Sequence, residues 1–139
     1  MPLPSLNAHV FRSHVGKSKQ PYCFEVNEGG LFAFAGIWDR WKNASGNVVE
    51  TFSSLTTTPN AVAAVVHDRM PVILDLDSCD LWLDPGMKDV GLVSELLKPC
   101  NAKIMRSYPV STRVNQVIND DAACSAQVEL VETQNQLLF

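Results

Sequence analysis

His67-Asp68-Arg69-Met70-Pro71-Val72-Ile73-Leu74 sets a histidine and an arginine immediately before a short apolar, strand-like run. Upstream of it, Thr58-Pro59-Asn60-Ala61-Val62-Ala63-Ala64-Val65-Val66 opens with a hydroxyl residue able to cap a helix, a proline suited to the first helical position, and then alanines. The pattern predicts a helix that ends at His67. A helix C-terminus favours a cationic imidazole, and an element boundary is where catalytic and binding groups collect. Pro71 disfavours helical geometry at Met70 and so closes the helix before the strand.

A chain of 139 residues, 46% hydrophobic and 19% charged, fits one domain that buries about two-thirds of its unfolded surface. Its net charge of −4 leaves no basic footprint, so composition alone argues against a dedicated nucleic-acid binder. Cys23, Cys79, Cys100 and Cys124 lack C-x-x-C spacing and follow no secretory segment, so they read as reduced thiols of an intracellular protein. No apolar run approaches the roughly 20 residues of a membrane helix, and a membrane partner is not expected.

Met1 to Ser18 shows neither helical nor strand periodicity. With Pro2, Pro4 and the basic-polar run from Arg12 it reads as a loose lead-in, with His9 and His14 solvated. Tyr22 to Val26, the turn Asn27-Glu28-Gly29-Gly30, and Leu31 to Trp38 have the composition of a hairpin. Its second strand is apolar on both faces, with Phe32, Phe34 and Trp38 on one of them, which predicts a central position. A polar loop over Asp39 to Asn47 precedes a hydroxyl-rich strand over Val49 to Thr56. After the strand Val72 to Leu74, Asp77-Ser78 can cap a brief helix carrying Leu81, Trp82 and Leu83, ended by Asp84-Pro85-Gly86. A second helix is expected from Met87 to Leu97, with Leu92, Leu96 and Leu97 on its apolar face. Lys103 to Val110 alternates weakly, as an edge strand does, and Val128, Leu130 and Val131 offer a last short strand in a polar tail.

Most constellations have bland readings. Asp75-Leu76-Asp77-Ser78-Cys79-Asp80 imitates a calcium loop but places Asp80 where glycine is required and Gly86 where a bidentate glutamate is required, so helix capping is the expected use and no metal is expected. Cys79 beside Leu81-Trp82 reads as a core thiol, not as a partner of His67. Phe32, Phe34, Trp38 and Trp41 could stack on bases, though aromatics alternating along such a strand are more often core. No phosphate-binding, dinucleotide or nucleophile-elbow fingerprint is present, and no cofactor is implied. A lone histidine at a helix end is more often structural than functional.

Four runs shift that balance: Ala35-Gly36-Ile37-Trp38-Asp39-Arg40-Trp41, Thr51 to Thr57, His67 to Leu74, and Trp82-Leu83-Asp84-Pro85. In order and spacing they resemble the SRAP (SOS response-associated peptidase) family of abasic-site processing proteins. Lys19-Gln20-Pro21-Tyr22 and Tyr108-Pro109-Val110-Ser111-Thr112-Arg113-Val114-Asn115 extend the resemblance over residues 17–130, with 1–16 a divergent lead-in and 131–139 a tail. The resemblance implies an α+β fold: a bent, mostly antiparallel sheet closing toward a pseudo-barrel, with flanking helices. It implies capture of abasic sites in single-stranded DNA by an N-terminal cysteine whose amine and thiol close a thiazolidine on the sugar aldehyde, with peptidase- and lyase-type descriptions attached to the family. It further implies that His67 serves as the acid/base catalyst, that Arg69 contacts DNA phosphate, and that Thr56 lines the pocket. Such roles suit a side chain titrating near neutrality and a guanidinium that forks onto phosphate.

The family's starting cysteine, asparagine and preceding acidic residue have no counterpart here. Residue 2 is Pro2, which could form an iminium but cannot close a thiazolidine. The chain is therefore expected to be the C-terminal portion of an SRAP domain, inactive by itself in crosslinking. The alternative is a non-catalytic remnant that binds DNA or protein weakly. Strands left without neighbours are expected to expose apolar residues such as Phe32 and Phe34 and to promote self-association.

Overall fold

The computed structural model describes residues 9–15 and 18–130, with side chains from Lys19 onward. Expectations for Pro2, for the histidine side chains of the lead-in and for Val131 lie outside the described residues.

β1 (His9–Val15), β2 (Ser18–Val26) and β9 (Met105–Pro109) form an antiparallel sheet in the order β1-β2-β9. The expected loose lead-in is therefore corrected over residues 9–15. An edge strand takes its register from the ladder, here His9 opposite Phe24 through Val15 opposite Ser18, and needs no apolar alternation of its own. β2 alternates strictly. Phe24 and Val26 enter a core with Met105, Met70, Ala63 and Val66, while Cys23 and Glu25 face Tyr108 and Arg106 on the other side. β9 is an edge strand as expected, with Pro109 at its end.

The expected hairpin between Tyr22–Val26 and Leu31–Trp38 does not form. Asn27, Glu28 and Gly29 have φ of 49°, 57° and 85°, a left-handed run that turns the chain away from β2 instead of back along it. Three two-stranded ribbons follow. β3 (Ala33–Phe34) pairs with β8 (Ile73–Leu74), β4 (Gly36–Lys42) with β5 (Val48–Ser54), and β6 (Thr56–Thr57) with β7 (Met70–Pro71). They meet where Ala35, Leu55 and Val72 close a ring of backbone hydrogen bonds. Ala35 N–H donates to Val72 O, Val72 N–H to Leu55 O, and Leu55 N–H to Ala35 O, each at 2.9 Å. In a regular strand one residue's N–H and C=O point to the same neighbour; here they go to different ones, so each strand passes from one ribbon into the next. Ala35 and Val72 are 0% and 1% exposed, and with Leu74 they nucleate a second core cluster against Leu55, Trp82 and Leu96.

The strand expected over Leu31–Trp38 at a central position is instead divided between β3 and the start of β4, and β4 runs on through Lys42 into the expected polar loop. All seven of its residues are exposed, Trp38 at 71% and Ile37 at 54%. Phe32 and Phe34, read as core by their alternation and as exposed if the strand lacks neighbours, are half-buried against each other, with ring centroids 5.5 Å apart.

α1 (Leu76–Leu83) is capped by Asp75, not by Asp77-Ser78: the Asp75 carboxylate accepts the Ser78 N–H at 2.7 Å, and hydrogen bonding from the Ser78 side chain first, then from this N–H, lowers its pKa. α2 (Val90–Leu96) starts later than expected because Asp89 caps it, accepting the N–H groups of Gly91 and Leu92. Trp82 Nε1–H donates to Gly36 O at 3.1 Å and docks α1 on the start of β4. In place of a last strand there is one bridge, Val110 to Gln127. Antiparallel sheets with two α-helices make the class α+β; no closed barrel forms among the described residues.

Candidate functional site

The segment before His67 is a single 3-10 turn, Ala63–Val65, and not the expected helix. Three β-branched residues, Val62, Val65 and Val66, lie in so short a stretch, and Thr58 does not cap it. Asn60 does. Its Oδ1 accepts the N–H groups of Val62 and Ala63 at 3.1 and 2.9 Å, and its Nδ2 donates to Cys100 O at 3.1 Å. His67 N–H reaches Ala63 O at 2.9 Å, so His67 does end a helical turn, and that turn is pinned through Asn60 to the chain near Cys100. Sequence reasoning missed Asn60 because a threonine and a proline stand just before it in a better-known capping pattern. The available signal was an asparagine two and three residues ahead of N–H groups it can satisfy.

His67 has a 41% exposed side chain. Its Nδ1 accepts the Arg69 N–H at 3.1 Å and lies 2.9 Å from Asp68 Oδ1. A neutral ring satisfies the first contact, and a ring protonated at Nδ1 satisfies the second. Both hold the imidazole by its Nδ1 edge. Arg69 is exposed, whereas Met70 beside it is 2% exposed and anchors the run in the core. The β6–β7 ladder sets Thr56 opposite Pro71 and Thr57 opposite Met70. Thr56, exposed, is thus paired with Pro71, at the end of the ladder away from Arg69 and His67.

This is an open rim. The small apolar pocket behind it, lined by Phe24, Phe32, Phe34, Met70, Pro71 and Met105 among others, offers about 10 Å³, room for about one water. A cleft of about 320 Å³ lies elsewhere, between Asp75, Ser78, Glu95, Lys98 and Asn101, and none of the three residues lines it. An exposed rim suits a polymeric ligand better than a small enclosed one. Among the described residues no cluster of metal-ligating side chains occurs, and no helix is long and apolar enough to cross a membrane.

Three of the cysteines have thiols made less acidic by burial. Cys23 is 0% exposed, and burial pushes its thiol pKa up; burial likewise raises those of Cys79 and Cys100. Cys79 packs against the Ala35–Val72–Leu74 cluster, as expected of a core thiol. On the far face of β2, Glu25 accepts from Tyr108 Oη at 2.7 Å and from Arg106 Nε at 2.7 Å. These bonds, the tyrosine's first, lower the Glu25 pKa. Burial chiefly raises that of Tyr108.

The sheets and helices define an α+β fold class, with His67 and Arg69 exposed at the rim. The SOS response associated peptidase (SRAP) family model matches residues 12–117, and the chain belongs to that family. Among relatives, it is 38% identical over 104 residues to the abasic site processing protein YoqW of Bacillus subtilis, covering 75% of this chain and 46% of that one. It is 33% identical over 135 residues to YoaM of the same organism, covering 97% and 57%, and 34% identical to HMCES of Gallus gallus over 102 residues, covering 72% and 30%. The chain thus spans about half the length of the bacterial relatives. A crystal structure of a protein from Bacteroides thetaiotaomicron superposes with a TM-score of 0.78 at 28% identity, over 88% of this chain and 54% of that one. One from Bordetella bronchiseptica, with a TM-score of 0.65 at 24% identity, shares the fold.

Proposed function

We propose that the chain acts on abasic sites in single-stranded DNA, contributing the proton-transfer and phosphate-contacting half of the site. The observation that carries this reading is the rim itself. His67 is held through Nδ1 by the backbone of the residue that precedes buried Met70, Arg69 is exposed two positions on, and Thr56 pairs with Pro71 across the β6–β7 ladder that continues from them. In this role His67 moves the protons of carbinolamine formation and dehydration at the opened sugar, Arg69 forks onto a flanking phosphate, and Thr56 contacts the sugar. The covalent bond comes from an amine and a thiol, groups that the side chains of His67, Arg69 and Thr56 do not carry. A bent sheet closing toward a pseudo-barrel belongs to the same proposal, with the Ala35–Leu55–Val72 ring as its corner.

Chemical complementation tests it. An abasic single-stranded oligonucleotide is mixed with free cysteine, which brings both amine and thiol, and thiazolidine formation on the sugar is timed with and without the chain. Acceleration of about 10²-fold or more, the scale of general acid–base catalysis, is expected, with its loss in His67→Ala. Arg69→Ala is expected to weaken binding of the oligonucleotide and to flatten its salt dependence by about one phosphate contact. Equal rates with and without the chain, or equal affinity for abasic and intact strands, would sink the proposal.

A further inference from the structure

The β4–β5 ribbon has open outer edges on both strands, since each pairs with the other alone among the described residues. Its cross-strand pair Trp38–Phe52 is 71% and 80% exposed, so two large aromatic side chains lie side by side in solvent. The two edges are not equivalent. β4 carries Asp39, Arg40 and Lys42, charges of the kind that blunt an edge, whereas β5 carries Glu50 alone, and Arg40 answers it at 3.5 Å.

We propose that the β5 edge pairs antiparallel with the β5 edge of a second copy of this chain, in a register centred on Phe52. Leu55 N–H points to Ala35 on the β4 side, so by strand alternation Ser53 and Thr51 turn their backbone groups toward β4, and Phe52 and Glu50 turn theirs outward. A two-fold axis at Phe52 then brings outward groups together in both copies. Phe52 meets Phe52, Thr51 meets Ser53, and Glu50 meets Ser54, with no like charges directly or diagonally opposed. The alternative centred on Thr51 sets Glu50 diagonal to Glu50 and is disfavoured. In the favoured register, Trp38, Phe52 and their counterparts form one continuous aromatic strip on a four-stranded sheet. Such pairing is isologous and closes at two copies.

Sedimentation velocity of the full chain over about 1–100 μM, a range that reveals micromolar association, is expected to show a monomer–dimer equilibrium. Phe52→Lys should weaken the dimer at least tenfold with an unchanged circular dichroism spectrum, while Trp41→Lys, on the opposite face of the ribbon, leaves it intact. A short bismaleimide should link Phe52→Cys chains in excess of the wild-type background, a readout that stands if the lysine variant folds poorly. A monomer throughout, a dimer indifferent to Phe52→Lys, open-ended aggregation, or no excess crosslinking would overturn the proposal. So would a Phe52→Lys variant of unchanged mass that loses single-stranded DNA binding, which would make the ribbon a base-stacking platform.

Discussion

At the scale of single residues, two polar side chains carry more than their positions suggest. Glu25 sits with its side chain 15% exposed between Tyr108 and Arg106, and its carboxyl pKa is depressed. A depressed carboxylate contributes stability that is present above the unfolded value, about 4.3, and is lost as pH falls through the lower folded value. Chemical denaturation of Glu25→Gln should therefore show a loss of about 1–3 kcal/mol near pH 7 that shrinks toward zero in strong acid. An equal deficit at both pH values would refute the assignment. Asn60 is the second such residue. Asn60→Ala removes a cap and should cost about 1–2 kcal/mol in a urea titration. Because the turn it caps ends at His67, the variant should also slow the cysteine complementation reaction while Arg69-dependent DNA affinity stays near wild type.

At the scale of elements, the ring of hydrogen bonds through Ala35, Leu55 and Val72 decides how six short strands become three ribbons. Alanine fits there because the three backbones converge on it, leaving its side chain 0% exposed. Ala35→Leu should destabilise the chain by about 1–3 kcal/mol or more through overpacking, seen as a lower urea midpoint at unchanged slope. A neutral result would mean that the junction has slack. Strand identity near Val72–Leu74 and over most of residues 49–56 was readable from apolar and hydroxyl patterning, whereas the strand at Met70–Pro71 and the break at Leu55 were not. Strand partners were not. Tyr22–Val26 and Leu31–Trp38 look like a hairpin because the turn residues between them are right for one. The left-handed run at Asn27, Glu28 and Gly29 sends the chain to β8 instead. Side-chain patterning reports which face of a strand is apolar and carries no record of which edge is paired.

At the scale of the whole molecule, the exposed ribbon makes stability depend on concentration if copies associate through it. Binding that favours the folded state raises Tm with protein concentration. Differential scanning calorimetry should show that rise for the wild-type chain and a flat profile for Phe52→Lys; a flat profile for both would speak against a folded-state dimer. The four family runs, the His67–Arg69 pair and the two short helices after Leu74 were legible in the order of residues, because they depend on local chemistry and spacing, and the α+β class was what the family resemblance implied. The tertiary structure alone decided that His9–Val15 is a strand, that Asn60 ties the turn before His67 to Cys100, and that Trp38 and Phe52 face solvent while Phe32 and Phe34 are half-buried. Each of these depends on contacts between residues far apart in the chain, and a linear sequence does not say which distant segment will supply the partner.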